Sequence, residues 1–180
     1  LSPTALAERL TMAGLEVTGI DTVQGEPVFD IEITPNRADC LSMLGVAREV
    51  AAMTGQRLTP PSVTSKKPAA TSKKGSSRIN IKIEDRKGCS RYIGRLIEGV
   101  TIKPSPEWMQ RRLIACGARP INNIVDITNY VLLEYGQPLH AFDFSRLSQG
   151  ALVVRGAQPN EPFTTLDGVA RKLSPETLII

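Results

Sequence analysis

GLEVTGIDTVQGEPVFDIEIT, residues Gly14 to Thr34, is built around an alternation in which Val28, Asp30 and Glu32 take turns with Phe29, Ile31 and Ile33. A period of two places successive side chains on opposite faces of a strand, and GLEVTGIDTV ahead of it reads as a second strand. QGEP between them supplies the turn of an antiparallel hairpin. Before the hairpin, Ser2 is placed to cap a helix with Pro3 at its first position, Leu6 and Leu10 on one face, and Gly14 as the stop. After it, TPNRADCLSMLGVAREVAAMTG predicts a second helix. Asp39 is its expected cap, Leu41, Leu44, Ala47, Val50 and Ala51 its apolar face, and Gly55 its end. Asn36 and Arg37 just upstream have two readings, as pocket lining or as support for the turn, and a turn before a capped helix favours the second.

Residues 60–77 contain PPSVTSKKPAATSKKGSS, where apolar periodicity is lost, and a linker is expected there. Lys66, Lys67, Lys73 and Lys74 are read as a solvated tether. The predicted organisation is a domain over 1–59, the linker over 60–77 and a second domain over 78–180. The second begins with the strand RINIKIED and a strand pair in RYIGRLIEGVTI. A helix follows, with Ser105 as cap, Pro106 and Glu107 in the first turn, and Trp108, Met109, Leu113 and Ile114 on the apolar side. INNIVDITNYVLLEY predicts another helix with Ile124, Ile127, Val131 and Leu132 inward, closed by Gly136. Short strands in ALVVRGA, FTTLDG, VARKLS and ETLII finish the chain, Asp167-Gly168 making a tight turn. The fold class is α+β, a small helix-hairpin-helix domain followed by part of a larger, mostly antiparallel α+β domain.

With 41% hydrophobic residues among 180, the chain can bury a real core. The net charge of +4 permits a polyanionic partner without implying one, because 18 acidic residues are interspersed with 22 basic ones. No apolar stretch approaches the roughly 20 residues that span a bilayer, and a cytoplasmic protein is expected. Cys40, Cys89 and Cys116 are widely spaced, which argues for reduced and mostly buried thiols over disulfides or zinc. The start at Leu1 and the end within ETLII are expected of an excerpt from a longer protein.

Phosphate-binding glycine loops, HExxH and GxSxG are all missing, and one histidine rules out a multi-His metal site made by this segment alone. That histidine, His140, lies in EYGQPLHAFD, after Pro138 and three residues before Asp143. Either Asp143 orients the ring for chemistry, or Asp143 caps FSRL and His140 packs as a polar aromatic. Thr128 and Asn129 are adjacent polar side chains in an otherwise apolar helix. They line a pocket for a polar substrate, or Asn129 braces the following loop. Arg111, Arg112 and Arg119 in QRRLIACGAR are candidate RNA phosphate contacts.

LAERLTMAGLEV, ITPNRADCLSMLGVAREVA and WMQRRLIACGARPINNIVDITNYVLLEYGQPLHAFD together resemble the β subunit of bacterial phenylalanyl-tRNA synthetases. The resemblance implies a B1-like domain over 1–59 and the first part of a B3/B4-like editing domain over 78–180. It further implies a part in the ATP-dependent joining of phenylalanine to its tRNA, and in hydrolysis of tyrosine wrongly attached to that tRNA. By motif, His140 would be the editing catalyst, with Thr128, Asn129 and Pro138 binding substrate. The implied partners are an α subunit, in an α2β2 tetramer, and the tRNA; ATP and Mg2+ belong to the holoenzyme, and no cofactor or metal is expected in this segment. Most relatives insert an oligonucleotide-binding fold between the hairpin strands, whereas this chain passes directly from DTVQ to GEPV. A non-catalytic RNA-binding or subunit-docking module is the alternative.

Overall fold

A computed structural model describes residues 1–62, 79–165 and 167–180. The linker of 60–77 and its lysines lie almost wholly outside the described residues. Two compact units emerge, Leu1–Thr64 with Thr101–Ala141, and Ser65–Val100 with Phe142–Ile180. The class is α+β as expected, and each unit is taken in turn.

In the first unit, helix α1 (Pro3–Met12) starts where Ser2 accepts a hydrogen bond from the Ala5 N–H at 3.2 Å. Strands β1 (Glu16–Val23) and β2 (Glu26–Glu32) pair antiparallel. Gln24 and Gly25 both take positive φ, 53° and 84°, the backbone that a two-residue hairpin turn needs to match strand twist. Leu10 and Leu15 are almost completely buried with Cys40, and Leu6, Val17, Ile31, Ile33, Val46, Val50 and Met53 pack around them. Burial of each leucine contributes ~1.5–3 kcal/mol.

Helix α2 (Met43–Thr54) corrects two expectations. Ser42, not Asp39, is its cap, accepting from the Gly45 N–H at 3.1 Å, while the Asp39 carboxylate turns to Arg37. The helix therefore begins after Leu41, which is left 63% exposed, and presents Val46, Val50 and Met53 to the core. The preceding residues Pro35–Cys40 wind as a 3-10 turn.

Helix α3 (Glu107–Ala115) buries Met109 and Leu113, whereas Trp108 and Ile114 stay largely exposed. Ser105 does not cap it; the hydroxyl is buried and donates to Asp126 instead. Helix α4 (Asn123–Tyr135) is capped by Asn122 and ends at Gly136 in the left-handed region. Its fully buried side chain is Asp126, and Ile127 and Leu132, expected inward, are 44% and 42% exposed. Of the thiols, Cys40 is buried, Cys89 half-buried and Cys116 exposed, so the expectation of mostly buried thiols holds for one of three.

In the second unit, β3 (Asn80–Ile83) pairs parallel with β4 (Ala151–Gly156), whose other edge pairs antiparallel with β7 (Leu178–Ile179). The β3–β4 pairing is the parallel exception in the mostly antiparallel set. β5 (Glu161–Thr164) and β6 (Ala170–Leu173) form a hairpin, with Gly168 at φ +79° and Asp167 accepting from the Val169 N–H. The strand pair expected in RYIGRLIEGVTI is not formed. Residues 91–100 make no backbone–backbone hydrogen bond to another described residue, and a strand exists only by its partner.

A Cβ placed on Gly45 would stand 1.8 Å from the Asp39 carbonyl oxygen, so Gly45→Ala should cost at least ~2 kcal/mol in a urea melt. Gly19, with nothing nearer than 4.0 Å, should accept Ala at a cost below ~1 kcal/mol; equal losses at the two sites would refute the close approach.

The Arg155 guanidinium reaches both oxygens of Glu161, at 2.9 and 2.7 Å, and holds that carboxyl down at about 2; Arg37 does the same to Asp39, also at about 2. Both values lie below the ~4 of an unfolded chain, so the pairs stabilise fully above about pH 5 and lose that contribution as pH falls through about 2. The urea midpoint should decline over this window, and Glu161→Gln should shallow the decline; an unaltered slope in the variant would remove the pair from the account.

Candidate functional site

Helix α4 is pinned before it carries anything. Asn122 accepts from the N–H groups of Ile124 and Val125 at 3.0 and 3.1 Å. The Asn123 amide donates to Thr101 O at 3.0 Å and its carbonyl accepts from Lys103 N–H at 3.3 Å, tying the incoming chain to the helix start. Asp126, 1% exposed, accepts from Ser105 Oγ at 2.5 Å and from the Ile121 N–H at 2.8 Å. A buried carboxylate is tolerated because donors meet it.

Two and three residues further along the helix stand Thr128 and Asn129, both half-buried. The Thr128 hydroxyl donates to Val125 O at 2.7 Å, which spends its single hydrogen inside the helix and leaves the oxygen able only to accept. The Asn129 side-chain amide hydrogen-bonds to no described residue, so its donors and acceptor stay open. The reading of Asn129 as a brace for the loop is therefore not met.

Gly136 turns the chain at φ +74°, its N–H donating to Leu132 O at 2.8 Å. Pro138 and His140 follow on an exposed loop. Asp143 is committed locally, accepting from the Ser145 N–H at 3.0 Å and hydroxyl at 2.7 Å, and these bonds hold its carboxyl below the usual range. It caps the FSR turn, the second of the two readings offered for it. A groove formed by described residues lies elsewhere, between α1 and α2 around Leu6, Arg9, Val50 and Leu58.

Two of the three candidate RNA-binding arginines are paired within the chain. Arg111 meets Glu107 at 3.0 Å. Arg112 donates to the Tyr130 hydroxyl and lies 5.6 Å from the centre of the Trp108 ring, which meets Tyr130 edge-on at 5.4 Å. Arg119 is exposed.

Arg37 is surrounded by Asp39 Oδ2 at 3.0 Å, Cys40 Sγ at 3.0 Å and Glu49 Oε1 at 2.7 Å. Asp39, Cys40 and Glu49 have ligating atoms within 4.8 Å of one another, the spacing of a metal site, but the guanidinium already supplies the cation. Burial pushes the Cys40 thiol up, against any thiolate ligand role. Sequence reading missed this grouping because Arg37 and Glu49 are twelve positions apart with no shared periodicity. Asp126 left a fainter trace, as an acidic residue in a first helical turn.

Comparison with known proteins defines the class. A family profile for the B3/4 domain matches residues 88–180, half of the chain, and the chain belongs to that family. Over most of its length it is also similar to phenylalanine–tRNA ligase beta subunits. The identity is 52% over 156 residues with that of Dehalococcoides mccartyi, covering 87% of this chain and 19% of the relative. It is 50% over 165 residues with that of Moorella thermoacetica, covering 92% and 20%. The chain spans about a fifth of the length of the curated relatives it matches.

Replacing Asp126 by Ala strands the Ser105 hydroxyl and the Ile121 N–H, and should cost ~2–4 kcal/mol, with loss of amide protection at the start of α4. Hydrogen exchange there at the wild-type rate would show that the carboxylate does not hold the helix.

Proposed function

We propose that this chain is part of the β subunit of a phenylalanine–tRNA ligase, and that α4 with the loop after it contributes to hydrolysis of tyrosine wrongly joined to the tRNA for phenylalanine. The single observation that carries the reading is the identity of about half of the aligned residues to beta subunits, 52% over 156 residues and 50% over 165, together with the B3/4 match over 88–180.

The chemistry of the residues supports it. A synthetic pocket shaped for phenylalanine discriminates against one added hydroxyl by only a few kcal/mol, and a second pocket that hydrogen-bonds the hydroxyl rejects the wrong product. The open amide of Asn129 and the accepting oxygen of Thr128 suit the polar groups of an aminoacyl ester. An ester needs no further activation. Water adds to its carbonyl carbon, the oxyanion collapses, the bond to the ribose oxygen breaks, and that oxygen takes a proton. In this proposal His140 orients the water or the tRNA end, and Pro138 stiffens the approach to it.

Arg111, Arg112 and Arg119 are proposed to steer tRNA phosphates, Arg112 through the N–H groups not spent on Tyr130. The proposed α subunit of an α2β2 assembly carries ATP and Mg2+. The ligating group Asp39–Cys40–Glu49 does not fit a magnesium ion, being closed around Arg37. No described helix is long and apolar enough to cross a membrane, and a cytoplasmic location is proposed.

His140→Ala, made in the full-length β subunit assembled with its α partner, should lower kcat/KM for tyrosyl-tRNA hydrolysis by at least about tenfold and leave phenylalanylation unchanged. Asn129→Ala should instead raise KM for the mischarged tRNA. Hydrolysis at the wild-type rate by both variants would end the editing reading.

A further inference from the structure

The loop 35–42 touches the turn that launches the His140 segment, and it is built more rigidly than a connection between a strand and a helix requires. Arg37 fastens it from inside, holding Asp39 through two nitrogens at 3.1 and 3.0 Å and Glu49 of α2 at 2.7 Å. Cys40, 3% exposed, plugs it into the core beside Leu10 and Leu15. Gly45 lets the Asp39 carbonyl lie against α2 at a distance that no side chain allows. Ser42 at the end of the loop then caps α2.

The same Ser42 is what Gly136 abuts. A Cβ on Gly136 would stand 3.4 Å from Ser42 Cβ and 3.6 Å from its Oγ, ordinary van der Waals contact, so Ser42 lies directly beside this turn, while its φ of +74° is what favours glycine there. Gly136 is two residues before Pro138 and four before His140. The loop, the α2 cap and the α4 C-terminus thus form one chain of contacts inside a single compact unit.

We propose that the loop 35–42 is a positioning device for the His140 segment, in which Ser42 sets where the chain leaves α4 and Arg37 sets Ser42. The proposal rests on the editing reading above. It gives the N-terminal helix-hairpin-helix a part in hydrolysis without touching substrate. Positioning errors of about 1 Å cost up to about a hundredfold in rate, so a small shift at Ser42 has a large readout.

The test uses two substitutions that spare the α2 cap in different ways, made in the full-length enzyme with its α partner. Ser42→Asp keeps a capping oxygen but adds bulk toward Gly136; Ser42→Gly removes the side chain from Gly136 and, at an N-cap, costs only a few tenths of a kcal/mol. Both should lower kcat for tyrosyl-tRNA hydrolysis about tenfold, leave its KM and the rate of phenylalanylation within about twofold, and speed amide exchange over 136–141 without lowering the melting temperature appreciably. Arg37→Gln should give the same kinetic pattern. Wild-type hydrolysis by both Ser42 variants, with His140→Ala impaired, overturns the positioning role and leaves the editing reading standing. Wild-type hydrolysis by His140→Ala as well overturns both.

Discussion

The Asp39 carbonyl oxygen sits where a Cβ on residue 45 would have to be, and much of the first unit depends on that approach. Because position 45 is glycine, the 3-10 turn can press flat against α2, which brings Cys40 down onto Leu10 and Leu15 and closes the small core. The same seating leaves Ser42 in place to cap α2 and turns Arg37 inward toward Glu49. A side chain at position 45 would lift the turn, and the cap, the ion pairs and the core contact would be lost together. This is why an apolar helix carries a glycine in its first turn despite a penalty of ~1 kcal/mol relative to alanine.

The second constraint is the buried carboxylate of Asp126, which fixes the start of α4 to residues 105 and 121. Between this anchor and the Gly136 turn, the helix is held at both ends, and what it carries between them has little freedom to shift. Arg112, Trp108 and Tyr130 add a lateral brace between α3 and α4. That brace gives an aromatic ring 51% exposed and a surface cation a structural role, beside the phosphate contact proposed for Arg112.

How much of this was readable in the sequence follows from the range of the interactions. The hairpin and α1 were, because period-two alternation, the Ser2-Pro3 start and the Gln24-Gly25 turn are local. The caps of α2 and α3 were misassigned because Asp39 and Ser105 have capping chemistry but are claimed by distant partners, Arg37 with Glu49 in one case and Asp126 in the other. The strand pair expected over 91–102 failed for a related reason: alternation describes faces and says nothing of a partner. At the candidate site, residue types pointed to Thr128, Asn129 and His140 and the family resemblance added Pro138, but only the folded geometry distinguishes the adjacent polar pair, since Thr128 has spent its proton on Val125 O.

That division narrows the chemistry. A hydroxyl that can only accept and an amide that both donates and accepts are complementary to an ester bearing an ammonium group and a phenol, which need an acceptor and an adaptable partner respectively. Neither side chain is a nucleophile, and neither needs to be. In the proposed hydrolysis the bond to be broken is already activated, so what the site would have to contribute is orientation of the ester and of a water, which a helix anchored at Asp126 and flanked by Ser42 at Gly136 is built to supply. On this argument the energetic weight of the site lies less in the residues that meet substrate than in the two contacts that stop α4 and its loop from moving.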